Sequence, residues 1–396
     1  MDVRPFTVAV PQAILDDLRD RLARTRWPDE VAGAGWAYGV PLGYLRGLIE
    51  YWRDGFDWRA QESRINAFAH CRADIDGYGI HFIHERGQGP RPLPLLITHG
   101  WPSSFVEMLD LIPLLTDPAG HGGDPANAFD VVVPSLPGYG FSDRLTREGR
   151  LPARWPSLWA KLMAGLGYKQ FGSHAGDVGA SLTSRLALAH PERLIGYHTP
   201  EPGIMPGPYR GPGAPPLSPA ECAYAAYRRR WEDAEGGYER IQATRPQTLA
   251  YGLTDSPTGL AAWLLDKWYS WTALPSGDLG RHFTRDQLLT NVTLYWVTGT
   301  INAANRTYYG GGGWRWRDPD AGPQPEPVGP DTRIRVPLGV MLTATQPIER
   351  APREYVQRLF ADIRRWVELP RGEHFIALEE PELVAEHIRA FFRELR

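Results

Sequence analysis

The stretch Ser173-His174-Ala175-Gly176-Asp177-Val178-Gly179-Ala180 constrains this chain more than any other. An extended run, Lys169 to His174, enters it, and a helical run, Ala180 to Ala189, leaves it. A small-x-acid-x-small turn between strand and helix pushes the side chain at its apex into a cleft. The small neighbours Ala175 and Gly179 let the two elements approach closely around a strained bend. A serine commonly occupies such an apex; here it is a carboxylate, and an aspartate in that place attacks carbon and leaves an ester on the enzyme. A plain polar turn is the competing reading, because the pattern is short.

The surroundings favour the first reading. Alternating patterns at Phe68 to Ile75 and Tyr78 to Glu85, separated by Asp76-Gly77, predict a hairpin at an antiparallel edge. Short apolar runs then alternate with helical ones: Pro92 to Thr98, Asp130 to Ser135, Gln170 to His174, Arg193 to His198, Val336 to Leu342 and Arg365 to Leu369. This is the signature of an α/β fold with a mostly parallel, doubly wound sheet, whose ligands lie beyond the carboxyl ends of the strands. Between Pro202 and about Gly313 the strand signal vanishes. Helical runs at Ala220 to Tyr238, Gly259 to Trp271 and Arg285 to Ala303 predict a lid inserted after the sixth strand, with Pro/Gly-rich stretches at 202–219 and 310–330 flanking it. Ahead of the core, residues 11–25 and Leu42 to Trp52 carry helical apolar stripes. The expected units are 1–86, an N-terminal block with the first hairpin strands; 87–201, the first part of the core; 202–313, the lid; and 314–396, the second part of the core.

Composition narrows the partners. A net charge of -3 with scattered basic residues leaves no footprint for nucleic acid or an anionic membrane. Cys71 and Cys222 have no metal-binding spacing, so neither a disulfide framework nor a metal site is expected. The amino terminus has no secretory pattern, and no run of about 18 apolar residues occurs, which together predict a soluble, cytoplasmic protein. Lysine occurs only at Lys161, Lys169 and Lys267, with arginine elsewhere, a usage that fits a GC-rich bacterial genome. A homodimer is compatible with the sequence.

Two further loops complete a candidate site. His99-Gly100-Trp101-Pro102-Ser103 follows a predicted strand, where a hydrolase of this layout supplies one backbone N–H of an oxyanion hole; the residue after the nucleophile supplies the other. The expected donors are Trp101 and Val178. Near the carboxyl end, Arg371-Gly372-Glu373-His374-Phe375 places a histidine where the base of a nucleophile–acid–histidine order falls. His174 is a competitor, though a strand residue there packs beneath the bend.

Taken together, His99-Gly100-Trp101-Pro102, Gly176-Asp177-Val178-Gly179 and Gly372-Glu373-His374-Phe375 resemble the epoxide hydrolases of the α/β-hydrolase fold, in particular the microsomal-type branch. Leu22-Ala23-Arg24-Thr25-Arg26-Trp27-Pro28 is similar to that branch's N-terminal meander. The segments from Tyr238 to Thr248, from Asp255 to Trp263 and from Leu294 to Tyr308 resemble its lid. The resemblance implies an epoxide opened to a vicinal diol through an aspartyl ester, with no cofactor and water as co-substrate. It also implies two lid tyrosines, Tyr238 and Tyr308, that hydrogen-bond the epoxide oxygen; Tyr309 is the alternative to Tyr308. Trp263, Trp268, Trp271 and Tyr295 suggest a large apolar or aromatic epoxide as the small-molecule substrate, in detoxification, aromatic hydrocarbon catabolism or secondary metabolism.

Two positions depart from the family pattern. Val178 stands where Trp is common, which reshapes the pocket beside Asp177 and weakens a haloalkane dehalogenase reading, since halide donors are then missing. The acid that orients the histidine is expected in Thr343 to Arg350, where Gln346 holds the usual position and Glu349 is the nearest carboxylate. Loss of that acid would instead leave a catalytically impaired binding protein with the same fold.

Overall fold

The computed structural model describes residues 1–144, 146, 151–202, 207–272, 278–311, 328–344 and 350–396. Nine strands form one sheet: β1 (Val3–Pro5), β2 (His70–Ile75), β3 (Tyr78–Glu85), β4 (Leu93–Thr98), β5 (Phe129–Pro134), β6 (Phe171–Ala175), β7 (Leu194–Thr199), β8 (Leu338–Leu342) and β9 (Ile363–Glu368). Their order across the sheet is β1-β2-β3-β5-β4-β6-β7-β8-β9. The pairs from β1 to β5 through β2 and β3 are antiparallel, and all others are parallel. Every residue of β5, β6 and β8 is buried, as in parallel strands covered on both faces, and Asp130, Ser173 and His174 are the polar side chains among them. The predicted strands coincide with β2 to β9 to within two residues, and the fold is the α/β-hydrolase fold.

Local chemistry corrects three expectations. The edge strand β1 was not foreseen: three residues carry no period, and only pairing with Cys71–Ala73 makes them a strand. With β1 counted, the helical insertion follows the seventh strand. The run Ala220 to Tyr238 is two helices, Pro219–Glu235 and Gly237–Thr244, interrupted at Gly236. Arg285 to Ala303 likewise divides into Arg285–Thr298 and Ile301–Gly311, because Gly299 takes a left-handed φ of 58° that ends the first helix. Capping boxes at Ser218–Glu221 and Thr284–Gln287 set where two of these helices begin.

The N-terminal block ties the helical insertion to the core. Helix Gln12–Ala23 reaches it through Arg21, which pairs with Asp255 at 2.7 Å, and just past its end Thr25 Oγ1 lies 2.7 Å from Thr258 Oγ1. From helix Leu42–Asp54, Trp52 Nε1 donates to Thr293 Oγ1 at 2.9 Å, and the Tyr51 hydroxyl donates to Asp286 at 2.7 Å. Trp36 stacks on Tyr269 with ring centroids 3.7 Å apart. The contacts clamp the insertion over the carboxyl ends of β4, β6 and β7, where the site lies.

Candidate active site

Asp177 is one of two described non-glycine residues with positive φ, at 48°. A left-handed aspartate at the first turn of helix Asp177–Ala189 is costly and persists only where its surroundings fix it. Those surroundings require two glycines. A Cβ on Gly179 would collide with the Thr98 carbonyl oxygen, and one on Gly100 would collide with the Asp177 carboxylate. β4 and β6 run side by side in parallel, pairing Thr98 with Ala175, so the loops that follow them meet. Trp101 N donates to Asp177 Oδ1 at 2.8 Å, while Asp177 N donates to Glu201 Oε2.

His374 comes from the loop after β9. Its Nε2 lies 4.0 Å from Asp177 Oδ2, and its Nδ1 lies 3.4 Å from Glu201 Oε1. Lid aromatics hold that loop: Trp271 packs edge-on to the imidazole at 4.7 Å, and Trp268 stacks flat on Phe375 at 3.9 Å. The carboxylate, the imidazole and Trp101 line a small cavity of water-like size, with Ser103, Glu107, His174 and Glu201 among its polar walls and Met108, Pro200 and Ile376 among its apolar ones.

Above Asp177, Tyr238 stacks on Trp101 with centroids 5.1 Å apart, and Tyr308 stands edge-on to both rings at 5.8 Å. Burial raises the Tyr238 hydroxyl well above the ordinary tyrosine range, and the Asp177 charge pushes it the same way. Burial, then Tyr238 and Asp177, do the same to Tyr308. Both phenols therefore stay protonated at neutral pH. Tyr309 is 63% exposed, so of the adjacent pair it is Tyr308 that faces inward.

His174 is buried on β6, with Nδ1 3.0 Å from His198 Nδ1, and loss of solvent lowers it to about 4. It packs beneath the bend as a neutral ring. His99, likewise lowered to about 4 by burial, braces the loop after β4 by accepting from Leu136 N at 3.2 Å. Glu349 and Gln346 lie outside the described residues.

The structure adds residues that the sequence reading missed. Glu201, two residues past β7, has no motif around it, and only the adjacency of β6 and β7 brings it to Asp177 and His374. Asn291 Nδ2 donates to the Pro102 carbonyl at 2.8 Å, and the Tyr295 hydroxyl donates to the Ser103 carbonyl at 2.7 Å, so one lid helix holds the loop that presents Trp101 N. The aromatic residues expected to signal the substrate have other duties in part: Tyr295 and Trp268 support loops, and Trp263 Nε1 donates to Gln242 Oε1 at 3.0 Å.

The chain is similar to known proteins over its whole length. A family profile described as "Epoxide hydrolase N terminus" matches residues 3–108, and one described as "alpha/beta hydrolase fold" matches residues 94–221. A relative from Stigmatella aurantiaca is 41% identical, covering 100% of this chain and 86% of that one. Epoxide hydrolase 1 of Sus scrofa is 33% identical, covering 98% of this chain and 88% of its own. The chain belongs to the epoxide hydrolase family. As an epoxide hydrolase it also superimposes on the crystal structure of juvenile hormone epoxide hydrolase from Bombyx mori, with a TM-score of 0.81, 28% identity, and coverage of 100% of this chain and 94% of that one. Among the described residues of this epoxide hydrolase, no group of three or more His, Cys, Asp or Glu could hold a metal ion, and no helix is long and apolar enough to cross a membrane.

Proposed function

We propose that this epoxide hydrolase converts an apolar or aromatic epoxide to a vicinal diol in two steps, through an ester on Asp177. An Asp177 oxygen forms a bond to one epoxide carbon while the ring carbon–oxygen bond breaks. The electron pair goes to the epoxide oxygen, which takes a proton from Tyr238 or Tyr308. His374 Nε2 then removes a proton from water, and the resulting hydroxide adds to the ester carbonyl carbon. The oxyanion accepts from Trp101 N and Val178 N. When the intermediate collapses, the alkoxide leaves and takes the proton held by His374. The proton left on the Asp177 carboxyl restores the phenol, so the sum is epoxide plus water to diol.

The observation that carries this reading is the carboxylate at a left-handed bend, bonded to Trp101 N at 2.8 Å, with His374 Nε2 at 4.0 Å and two protonated phenols above it. Direct attack of activated water on the epoxide is the chemical rival, and labelled water separates the two. With enzyme in excess over styrene oxide in heavy-oxygen water, a single turnover is expected to leave the label in the peptide that contains Asp177. Label found only in the diol would refute the ester.

A further inference from the structure

We propose that Glu201 is the acid that positions the catalytic base: its carboxylate orients His374 and at the same time holds the backbone of the nucleophile. The proposal rests on the two-step reading above, and it assigns the positioning role to the strand β7 side of the site rather than to the loop after β8.

The placement follows from strand order. β7 is the parallel neighbour of β6, with His174 opposite His198, so the chain leaving β7 passes beside the bend at Asp177. Thr199 Oγ1 donates to the Ala175 carbonyl at 2.8 Å and accepts from Glu201 N at 3.0 Å, which fixes the start of the turn. The Glu201 side chain is thereby aimed inward, and the residue is 1% exposed. A carboxylate so removed from water requires specific partners. Oε2 accepts from Asp177 N, and Oε1 faces His374 Nδ1 at 3.4 Å.

That arrangement does what a positioning acid does. A carboxylate beside Nδ1 keeps the proton on that nitrogen, leaves Nε2 with its lone pair toward Asp177 and the water, and stabilises the imidazolium once Nε2 takes a proton. Glu201 also grips the N–H of the strained nucleophile, so base and nucleophile are referred to one rigid group. Its charge matters most in ester hydrolysis, where imidazolium forms. Ring opening uses the phenols and the Asp177 carboxylate and needs no imidazolium. The two steps therefore separate the role of the charge from a general role in folding.

The test compares Glu201→Gln, Glu201→Asp and Glu349→Gln as full chains, with styrene oxide. Rapid quench and intact mass follow the alkyl-enzyme, and circular dichroism confirms the fold. For Glu201→Gln, ester formation within about threefold of the native rate is expected, with ester hydrolysis slowed on the order of 100-fold, so that alkyl-enzyme accumulates. Glu201→Asp is expected to recover part of the hydrolysis rate, and Glu349→Gln to retain native hydrolysis. Native hydrolysis in Glu201→Gln, with the loss in Glu349→Gln instead, would overturn the proposal. Equal slowing of both steps, or a misfolded Glu201→Gln together with an inactive, folded Glu201→Asp, would overturn it too, by reducing Glu201 to a support of the bend. If the native enzyme never carries label on Asp177, the two-step reading itself fails, and the proposal falls with it.

Discussion

Glu107 sits in the wall of the cavity that holds Asp177 and His374, and the Ser103 hydroxyl donates to its Oε2 at 2.5 Å. Loss of solvent pushes its carboxyl up from 4.5 to about 7; the Asp177 charge adds to the rise, while the Ser103 hydrogen bond and His374 oppose it. A raised acid keeps its proton in the folded chain after the unfolded chain has released its own. The stability tied to that proton is thus fully present below 4.5 and is lost as pH rises through about 7. The gap corresponds to about 3 kcal/mol, since each pH unit is worth about 1.4 kcal/mol. Glu107→Gln keeps an acceptor for Ser103 and has no proton to lose. Relative to the native protein it is expected to gain roughly 2–3 kcal/mol in stability between about pH 5 and about pH 8. Urea unfolding at matched m-values measures this gain, and infrared difference spectra follow the neutral carboxyl directly, as a band that fades near neutral pH and is missing in the variant. A constant stability difference across that range, or a band that has vanished by about pH 5, would refute the argument. Alkylation of Asp177 removes one of the charges that raise Glu107, so in the trapped ester the same band should fade at lower pH.

Two other predictions test the oxygen donors and the bend. Tyr238→Phe and Tyr308→Phe each remove one hydrogen bond to the developing alkoxide, about 1.5–3 kcal/mol, which slows ester formation on the order of 10- to 100-fold; unchanged rates in stopped-flow alkylation would exclude a donor role. Gly179→Ala drives a Cβ into the Thr98 carbonyl, a backbone atom that cannot turn aside. A loss of roughly 1–3 kcal/mol is expected, seen as a lower thermal midpoint, and a midpoint equal to that of the native chain would show that strand and helix can separate there.

Much of the framework was readable because its signals are local. Short, mostly apolar runs marked β4, β5 and β8, since strands covered on both faces need largely apolar side chains, while the runs at β6 and β7 also carry Ser173, His174, His198 and Thr199. Glycines at the bend allowed Asp177 to be singled out, because only small neighbours tolerate that backbone. Helix continuity was overestimated at Gly236 and Gly299, where a side-chain pattern continues but the backbone does not. β1 was invisible, being defined by its partner and not by its own three residues.

By itself, then, the sequence determined strands β2 to β9, the apex carboxylate, its glycine-flanked turn and the histidine loop, since each depends on residues adjacent in the chain. Tertiary structure alone decided which tyrosine of the pair Tyr308 and Tyr309 turns inward, which lid residues brace the Trp101 loop, and that Glu201 meets both Asp177 and His374. Those contacts join residues distant in the chain, from Asn291 with Pro102 to His374 with Glu201. They exist because strand order places the loops after β4, β6 and β7 side by side, and the helical insertion and the loop after β9 bring Asn291 and His374 to them, information that no single stretch of residues carries.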